Sequence, residues 1–180
     1  MKRDPVLRLL LMYNTHDQEE KWMTADTVQF IKQNPDCFER SLLIGHVTGS
    51  GWIVNRARTH TLLMHHKKLD KWFQPGGHCD GDPDVQAVAL KEAVEETGLA
   101  VSAVNNHIFD VNNHIIPRRN DIPEHTHYDI RFLLEAEMTA GDLPSNSEAL
   151  AVRWIDLNEV HLYNNSRSIM RMVEKTKKLL

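Results

Sequence analysis

The sequence predicts an α+β domain preceded by helices. Strand-like segments dominate after about residue 40, one well-delimited helix interrupts them, and a second helix closes the chain. Strands combined with few helices form layers in which helices cover a sheet. A chain of 180 residues is also long enough for one domain with a sizeable core.

The first 40 residues are predicted to be helical. Residues 5–13 are apolar and rich in leucine, and residues 18–33 carry spaced apolar side chains among charges. The second segment ends near Asn34-Pro35, a pair that disfavours further helix. We therefore predict a helical extension over residues 1–40 and a separate functional domain over residues 41–180.

The remaining elements are predicted from apolar and β-branched runs between turn residues. The predicted strands are 41–47, 51–55, 61–66, 101–111, 127–138 and 152–155. A turn is predicted at Pro75-Gly76-Gly77, and a final helix over residues 166–180.

Charge and composition exclude several classes of protein. The formal net charge of −4 predicts no stable nucleic-acid binding, so a polyanionic substrate would have to be met by metal and local cations. No apolar stretch is long enough to span a membrane, and we expect a cytoplasmic protein. Cys37 and Cys79 are expected to be reduced thiols. Monomer and homodimer both stay open.

Three glutamates mark the most informative segment of the chain. Glu92, Glu95 and Glu96 lie at i, i+3 and i+4, which places their carboxylates on one face of a helix. Their mutual repulsion can be relieved by a hard divalent cation such as Mg²⁺ or Mn²⁺. The alternative is a solvated acidic face without a metal.

Both ends of this helix carry recognisable signals. Asp82 is predicted as the N-cap, followed by Pro83 in the first turn, and Gly98 is predicted as the C′ residue. The apolar stripe predicted to face the core, opposite the glutamates, consists of Ala87, Leu90, Ala93 and Val94.

From Gly77 to Leu99 the chain resembles the Nudix hydrolases, whose signature is G-x5-E-x7-R-E-U-x-E-E-x-G-U, with U an aliphatic residue. The matching residues are Gly77, Glu92, Glu95, Glu96, Gly98 and Leu99, with Ala93 as a small substitute for the first aliphatic. Two positions depart from the signature: Pro83 replaces the first glutamate and Lys91 replaces the arginine.

The resemblance implies the Nudix α/β/α sandwich, a mixed sheet packed between helices. It also implies a site that holds Mg²⁺ or Mn²⁺ through Gly77, Glu92, Glu95 and Glu96, with these glutamates as catalytic residues. The implied reaction is hydrolysis of a small nucleoside diphosphate linked to another moiety, with water attacking phosphorus at a phosphoanhydride bond.

A further catalytic carboxylate often lies before the last strand in this family. Glu148 is the candidate here, with a solvated loop acid as the equal alternative. Two other functions stay open: a non-catalytic nucleotide sensor with the Nudix fold, and an isoprenoid diphosphate isomerase. The isomerase would require a suitably placed cysteine and glutamate, and the sequence does not place that cysteine.

A histidine-rich pattern resembles a bacterial Nudix subfamily with a Gly-Gly-His variant of the signature. Predicted substrate contacts are His65, His125, His127 and Arg131. His125 and His127 are two residues apart, so on a strand they would face the same side. Because zinc usually takes three or four protein ligands, substrate-contact or structural roles are favoured over a second metal site.

Overall fold

The computed structural model describes residues 2–67, 70–119, 121–139, 141, 143 and 149–179. Its helices are α1 (Asp4–Met12), α2 (Gln18–Gln33), α3 (Val85–Thr97), α4 (Val160–Tyr163) and α5 (Arg167–Lys177). Its strands are β1 (Gly45–Val54), β2 (His60–His66), β3 (Lys71–Phe73), β4 (Gly76–His78), β5 (Val101–Ile116), β6 (His125–Ala136) and β7 (Ala149–Asp156). The α+β prediction is confirmed.

The seven strands of the described residues form one sheet. Its main order is β3-β2-β1-β6-β5, with β4 paired to β1 and β7 paired to β2. The antiparallel β2·β7 pairing runs from His60 opposite Asp156 to His66 opposite Ala149. β4 pairs antiparallel with β1, which places Gly77 opposite Gly49.

Several predicted boundaries were wrong. The strands predicted at 41–47 and 51–55 merge into the single strand β1, because Gly49 and Gly51 lie within a fully buried strand and not in a turn. Residues 41–44 and residue 55 lie outside this strand. The predicted turn at Gly76-Gly77 begins the short strand β4, which is held by pairing to β1. The helix α4 was not predicted.

Two compact units divide the chain. The first unit comprises described residues of 1–50, 76–89 and 106–132. Within it, the fully buried carboxylate of Glu20 accepts hydrogen bonds from the Tyr13 hydroxyl at 2.6 Å, the Thr15 hydroxyl and the backbone N–H of Val111 at 3.0 Å. This carboxylate links the loop after α1, the first turn of α2 and β5. The domain boundary at residue 40 stays a prediction.

The second unit comprises described residues of 51–75, 90–105 and 133–180. Trp52 of β1 is fully buried there, and its indole N–H donates to the Thr176 hydroxyl of α5 at 2.9 Å. Thr176 is itself fully buried and donates to the carbonyl of Met172. The contact fixes α5 against β1 through a satisfied polar pair. No helix of the described residues is long and apolar enough to cross a membrane.

We predict that Thr176→Val lowers the free energy of unfolding by about 1–3 kcal/mol, because valine keeps the volume but leaves the Trp52 N–H buried without an acceptor. Chemical denaturation would measure the change. Thr139→Val, at an exposed position, serves as the control and should have little effect. Equal stability of the Thr176→Val protein and the wild type would contradict the assigned role of this pair.

Candidate active site

The start of α3 differs from the predicted one by two residues. The helix begins at Val85, and the N–H of Ala87 donates to the Asp84 carboxylate at 3.0 Å. Asp84 is therefore the N-cap, and the prediction of Asp82 was wrong. Asp82 accepts from the N–H of Asp84 at 2.9 Å and so stabilises the preceding turn. Gly98 has φ +69° and donates its N–H to the Val94 carbonyl, as predicted for C′.

The face of α3 that is buried also differs from the predicted one. The buried residues are Val85, Val88, Ala89, Ala93 and Thr97. Ala87 and Val94 are exposed, so the predicted stripe was wrong at these two positions, whereas Ala93 is buried and Leu90 is partly buried. The buried face is rotated from the predicted one, and its Val85 and Ala89 lie against Gly49 of β1.

This rotation sets the environment of the three glutamates. Glu92 and Glu96 are partly buried, since they lie three or four residues from buried positions, whereas Glu95 is exposed. The Lys91 ammonium lies 3.7 Å from a Glu92 carboxylate oxygen and 3.8 Å from one of Glu95. The glutamates thus line one edge of the helix between core and solvent, with Lys91 beside two of them.

Glycine is required where β4 and α3 approach β1. A methyl group on Gly49 would lie 2.7 Å from the carbonyl oxygen of Val85, and one on Gly76 would collide with the Ser50 side chain. Such contacts exclude any larger residue. The two glycines therefore allow the Gly76-Gly77-His78 strand and the first turns of α3 to pack directly on β1.

A strip of polar side chains lies on one face of the sheet in the first unit. Side chains alternate along a strand, so every second residue shares a face. The strip comprises His46, Thr48 and Ser50 of β1, His125, His127, Asp129 and Arg131 of β6, and Asp110 and His114 of β5. Most of these residues are buried, so their polar atoms must be satisfied within the protein.

One end of the polar strip is a buried ion-pair network. Arg131 is 4% exposed, and it donates from Nε to Asp129 at 2.7 Å and from a terminal nitrogen to Asp110 at 3.2 Å. Thr48 and Ser50 donate their hydroxyls to the same Asp129 carboxylate. The guanidinium is thus engaged by internal carboxylates, and its predicted role as a substrate contact stays a prediction.

The other end of the strip is a cluster of five imidazoles, the histidine cluster: His46, His78, His114, His125 and His127. The ring of His127 lies 4.8 Å from that of His46, 5.2 Å from that of His125 and 5.0 Å from that of His78, measured between centroids. The sequence indicated only His125 and His127, because the other members come from β1, β4 and β5.

Burial disfavours the charged form of four of these histidines. It lowers the pKa of His46, His114 and His127 below the usual value, and that of His78 to about 4. The Nε2 atoms of His46 and His127 are buried and have no hydrogen-bond partner among the described residues. Each buried nitrogen without a partner lowers the free energy of unfolding by about 1–3 kcal/mol, unless another group forms a hydrogen bond or a bond to it.

The remaining predicted residues lie elsewhere. His65 of β2 donates a hydrogen bond of 2.7 Å from Nε2 to the Asp70 carboxylate and stacks on Trp72, with ring centroids 5.0 Å apart. The guanidinium carbon of Arg153 lies 5.7 Å from the centroid of the Trp72 ring. Glu148 lies outside the described residues. Cys37 and Cys79 are buried free thiols, and burial raises the pKa of both.

Known proteins resemble this chain in sequence and in fold. The profile of the NUDIX domain matches residues 45–174, which is more than half of the chain. The chain belongs to the Nudix family. Phosphatase NudJ of Escherichia coli K12 is 30% identical over 99 residues, which is 54% of this chain and 59% of that protein. This Nudix chain therefore spans less than two thirds of that curated relative.

Solved structures confirm the predicted Nudix α/β/α sandwich with a mixed sheet, preceded by N-terminal helices. The Ap4A hydrolase of C. elegans superposes with a TM-score of 0.53 at 14% identity, covering 74% of this chain and 96% of that chain. A NUDIX-family hydrolase from Clostridium perfringens has a TM-score of 0.52 at 21% identity, covering 75% and 98%. At these identities the similarity establishes the fold alone.

We predict that Asp84→Ala lowers the free energy of unfolding by about 0.5–2 kcal/mol, because it removes the N-cap of the glutamate helix. Asp82→Ala is the matched comparison and should cost less, since Asp82 caps only the turn. Both can be measured by denaturant unfolding. A larger loss for Asp82→Ala than for Asp84→Ala would contradict this assignment of the cap.

Proposed function

We propose that this Nudix protein is a divalent-metal-dependent hydrolase of phosphoanhydride bonds in small nucleoside diphosphate derivatives. The observation that carries the proposal is the edge of α3, where Glu92, Glu95 and Glu96 occur at the signature spacing between core and solvent. Family membership over residues 45–174 supports the reaction class.

The donor set fits a hard cation. Mg²⁺ and Mn²⁺ prefer oxygen ligands, and three carboxylates in two turns supply them. From the signature we carry over the backbone of Gly77 as a further contributor. When bound, such a cation neutralises phosphate oxygens and lowers the pKa of a bound water.

The glutamates and Lys91 have different proposed roles at this metal site. Glu92 and Glu96 are partly buried, which restricts their rotamers and would hold their carboxylates ready for the ion. The Glu95 side chain is 58% exposed, and the Lys91 ammonium lies 3.8 Å from one of its carboxylate oxygens. That ammonium would offset the negative charge of the site before an ion binds. Glu148 stays proposed as the group that orients or deprotonates the attacking water.

Recognition of the substrate is proposed from three histidines. His65 combines a hydrogen bond to Asp70 with stacking on Trp72, so its ring is held in a fixed orientation at the end of β2. His125 and His127 belong to the histidine cluster, where burial keeps the ring of His127 neutral. Neutral imidazoles can donate hydrogen bonds to phosphate oxygens but add no positive charge.

We predict that Glu95→Gln and Glu96→Gln each lower kcat by about 100-fold or more. Each change removes a proposed direct metal ligand, which should cost at least as much activity as removing a group that only hydrogen-bonds to a ligand. A panel of nucleoside diphosphate derivatives with Mg²⁺ or Mn²⁺, scored for phosphate or nucleotide release, first identifies a substrate. The isosteric change Glu137→Gln, at an exposed position outside α3, is the control.

Two outcomes would refute this proposal. Undiminished turnover after chelation, or in the Glu96→Gln protein, would exclude the metal mechanism. A folded wild-type protein that binds nucleotides in equilibrium dialysis yet releases no product with either metal would instead be a sensor.

We further predict that Pro83→Glu combined with Lys91→Arg, which restores the signature, keeps kcat within about threefold of wild type or raises it. Lys91 lies within 3.8 Å of carboxylate oxygens of Glu92 and Glu95, so arginine can keep the same partners. Steady-state kinetics at varied Mg²⁺, with circular dichroism to verify folding, would measure this. A folded but inactive double variant would show that Pro83 and Lys91 serve a specialised substrate site.

A further inference from the structure

We propose that His46, His125 and His127 bind one transition-metal ion of the Zn²⁺, Co²⁺ or Ni²⁺ type, at a second metal site built on the sheet. One ring nitrogen from each residue lies within 4.8 Å of the corresponding atoms of the other two. This inference does not depend on the proposed hydrolysis. It replaces the substrate contact proposed for His125 and His127 by metal ligation and leaves His65 as a proposed substrate contact.

The spacing is close to that of a metal site. Two nitrogens at 2.0–2.1 Å from a tetrahedral ion lie about 3.4 Å apart, so the longest separation here has to shorten by no more than about 1.4 Å. Rotation of imidazoles about their χ torsions can supply such a movement. His125 donates its Nδ1–H to the Pro123 carbonyl at 2.9 Å, which leaves its Nε2 for the ion.

The strand positions explain why the three rings converge. His125 and His127 are alternate residues of β6, and His46 is on β1, which neighbours β6 in the sheet. All three side chains lie on the polar strip. His78 of β4 and His114 of β5 surround them, with ring centroids 5.0 and 5.4 Å from that of His127. Either ring or a water could complete a tetrahedral shell.

The chemistry of these rings suits a borderline cation. A metal binds the unprotonated nitrogen of a neutral imidazole. The Nε2 atoms of His46 and His127 are buried and lack hydrogen-bond partners among the described residues, and His46 is only 3% exposed. An ion would satisfy both atoms at once. Imidazole ligands favour Zn²⁺, Ni²⁺ and copper, whereas the carboxylates of α3 favour Mg²⁺.

The test is a Zn²⁺ titration of the chelator-treated full chain in excess Mg²⁺, which saturates carboxylate sites. A chromophoric zinc indicator reports affinity and stoichiometry. We expect one Zn²⁺ per chain, a weakening of about 100-fold or more in His127→Ala, and no change in His161→Ala, an exposed histidine on α4. Zn²⁺ should also raise the Tm of the wild type more than that of His127→Ala.

Two further variants keep the test decisive. If His127→Ala fails to fold by circular dichroism, His125→Gln replaces it, because glutamine can keep a polar contact but is a poor zinc ligand. Glu95→Gln should retain the Zn²⁺ site. Long-range ¹H–¹⁵N spectra of the imidazoles should show ligation of His46, His125 and His127.

Either of two results would overturn the second metal site. One is wild-type Zn²⁺ affinity no tighter than that of the folded histidine variants. The other is loss of Zn²⁺ binding in Glu95→Gln with retention in the histidine variants, which would place the ion on the carboxylates of α3.

Discussion

The polar strip of the first unit is the constraint on which the described structure most depends. It places nine polar side chains on one sheet face, and most of them are buried. Burying a charge is tolerated only when it is paired and hydrogen-bonded. Asp110, Arg131 and Asp129 meet this requirement together, since both carboxylates accept from the one guanidinium and Asp129 also accepts from two hydroxyls. The strand register is therefore fixed, because a shift of one residue would place Arg131 on the opposite face.

The two ends of the polar strip accommodate buried polar side chains by different chemistry. At one end ionised groups neutralise one another, with Arg131 2.7 Å from Asp129. At the other end burial lowers the pKa of His46 and His127, which disfavours their charged forms. The Nε2 atoms of these two rings have no hydrogen-bond partner among the described residues. With His125 they bring three ring nitrogens within 4.8 Å of one another, which is the arrangement on which the proposed second metal site rests.

Glycines supply a second constraint along β1. Gly49 lies against the Val85 carbonyl, and Gly76 lies against Ser50. These contacts allow the signature loop and the start of α3 to pack on β1 without side chains between them. The departures from the Nudix signature are compatible with this packing. Pro83 lies in the turn that Asp82 stabilises, and Lys91 pairs along its own helix.

The sequence by itself determined the family, the α+β class and the three glutamates of α3. These properties depend on local spacing, and 3.6 residues per turn place Glu92, Glu95 and Glu96 on one face in any setting. The role of Gly98 as the C′ residue was likewise predictable, because the helix ends at a residue in the left-handed conformation, which favours glycine.

Tertiary structure alone decided which face of α3 is buried, because Val85 packs against Gly49, a residue of another element. It also decided the buried role of Glu20, because its partner Val111 lies 91 residues away in the sequence. The histidine cluster is the clearest case. Its five rings come from four strands, and only pairing between those strands brings them together.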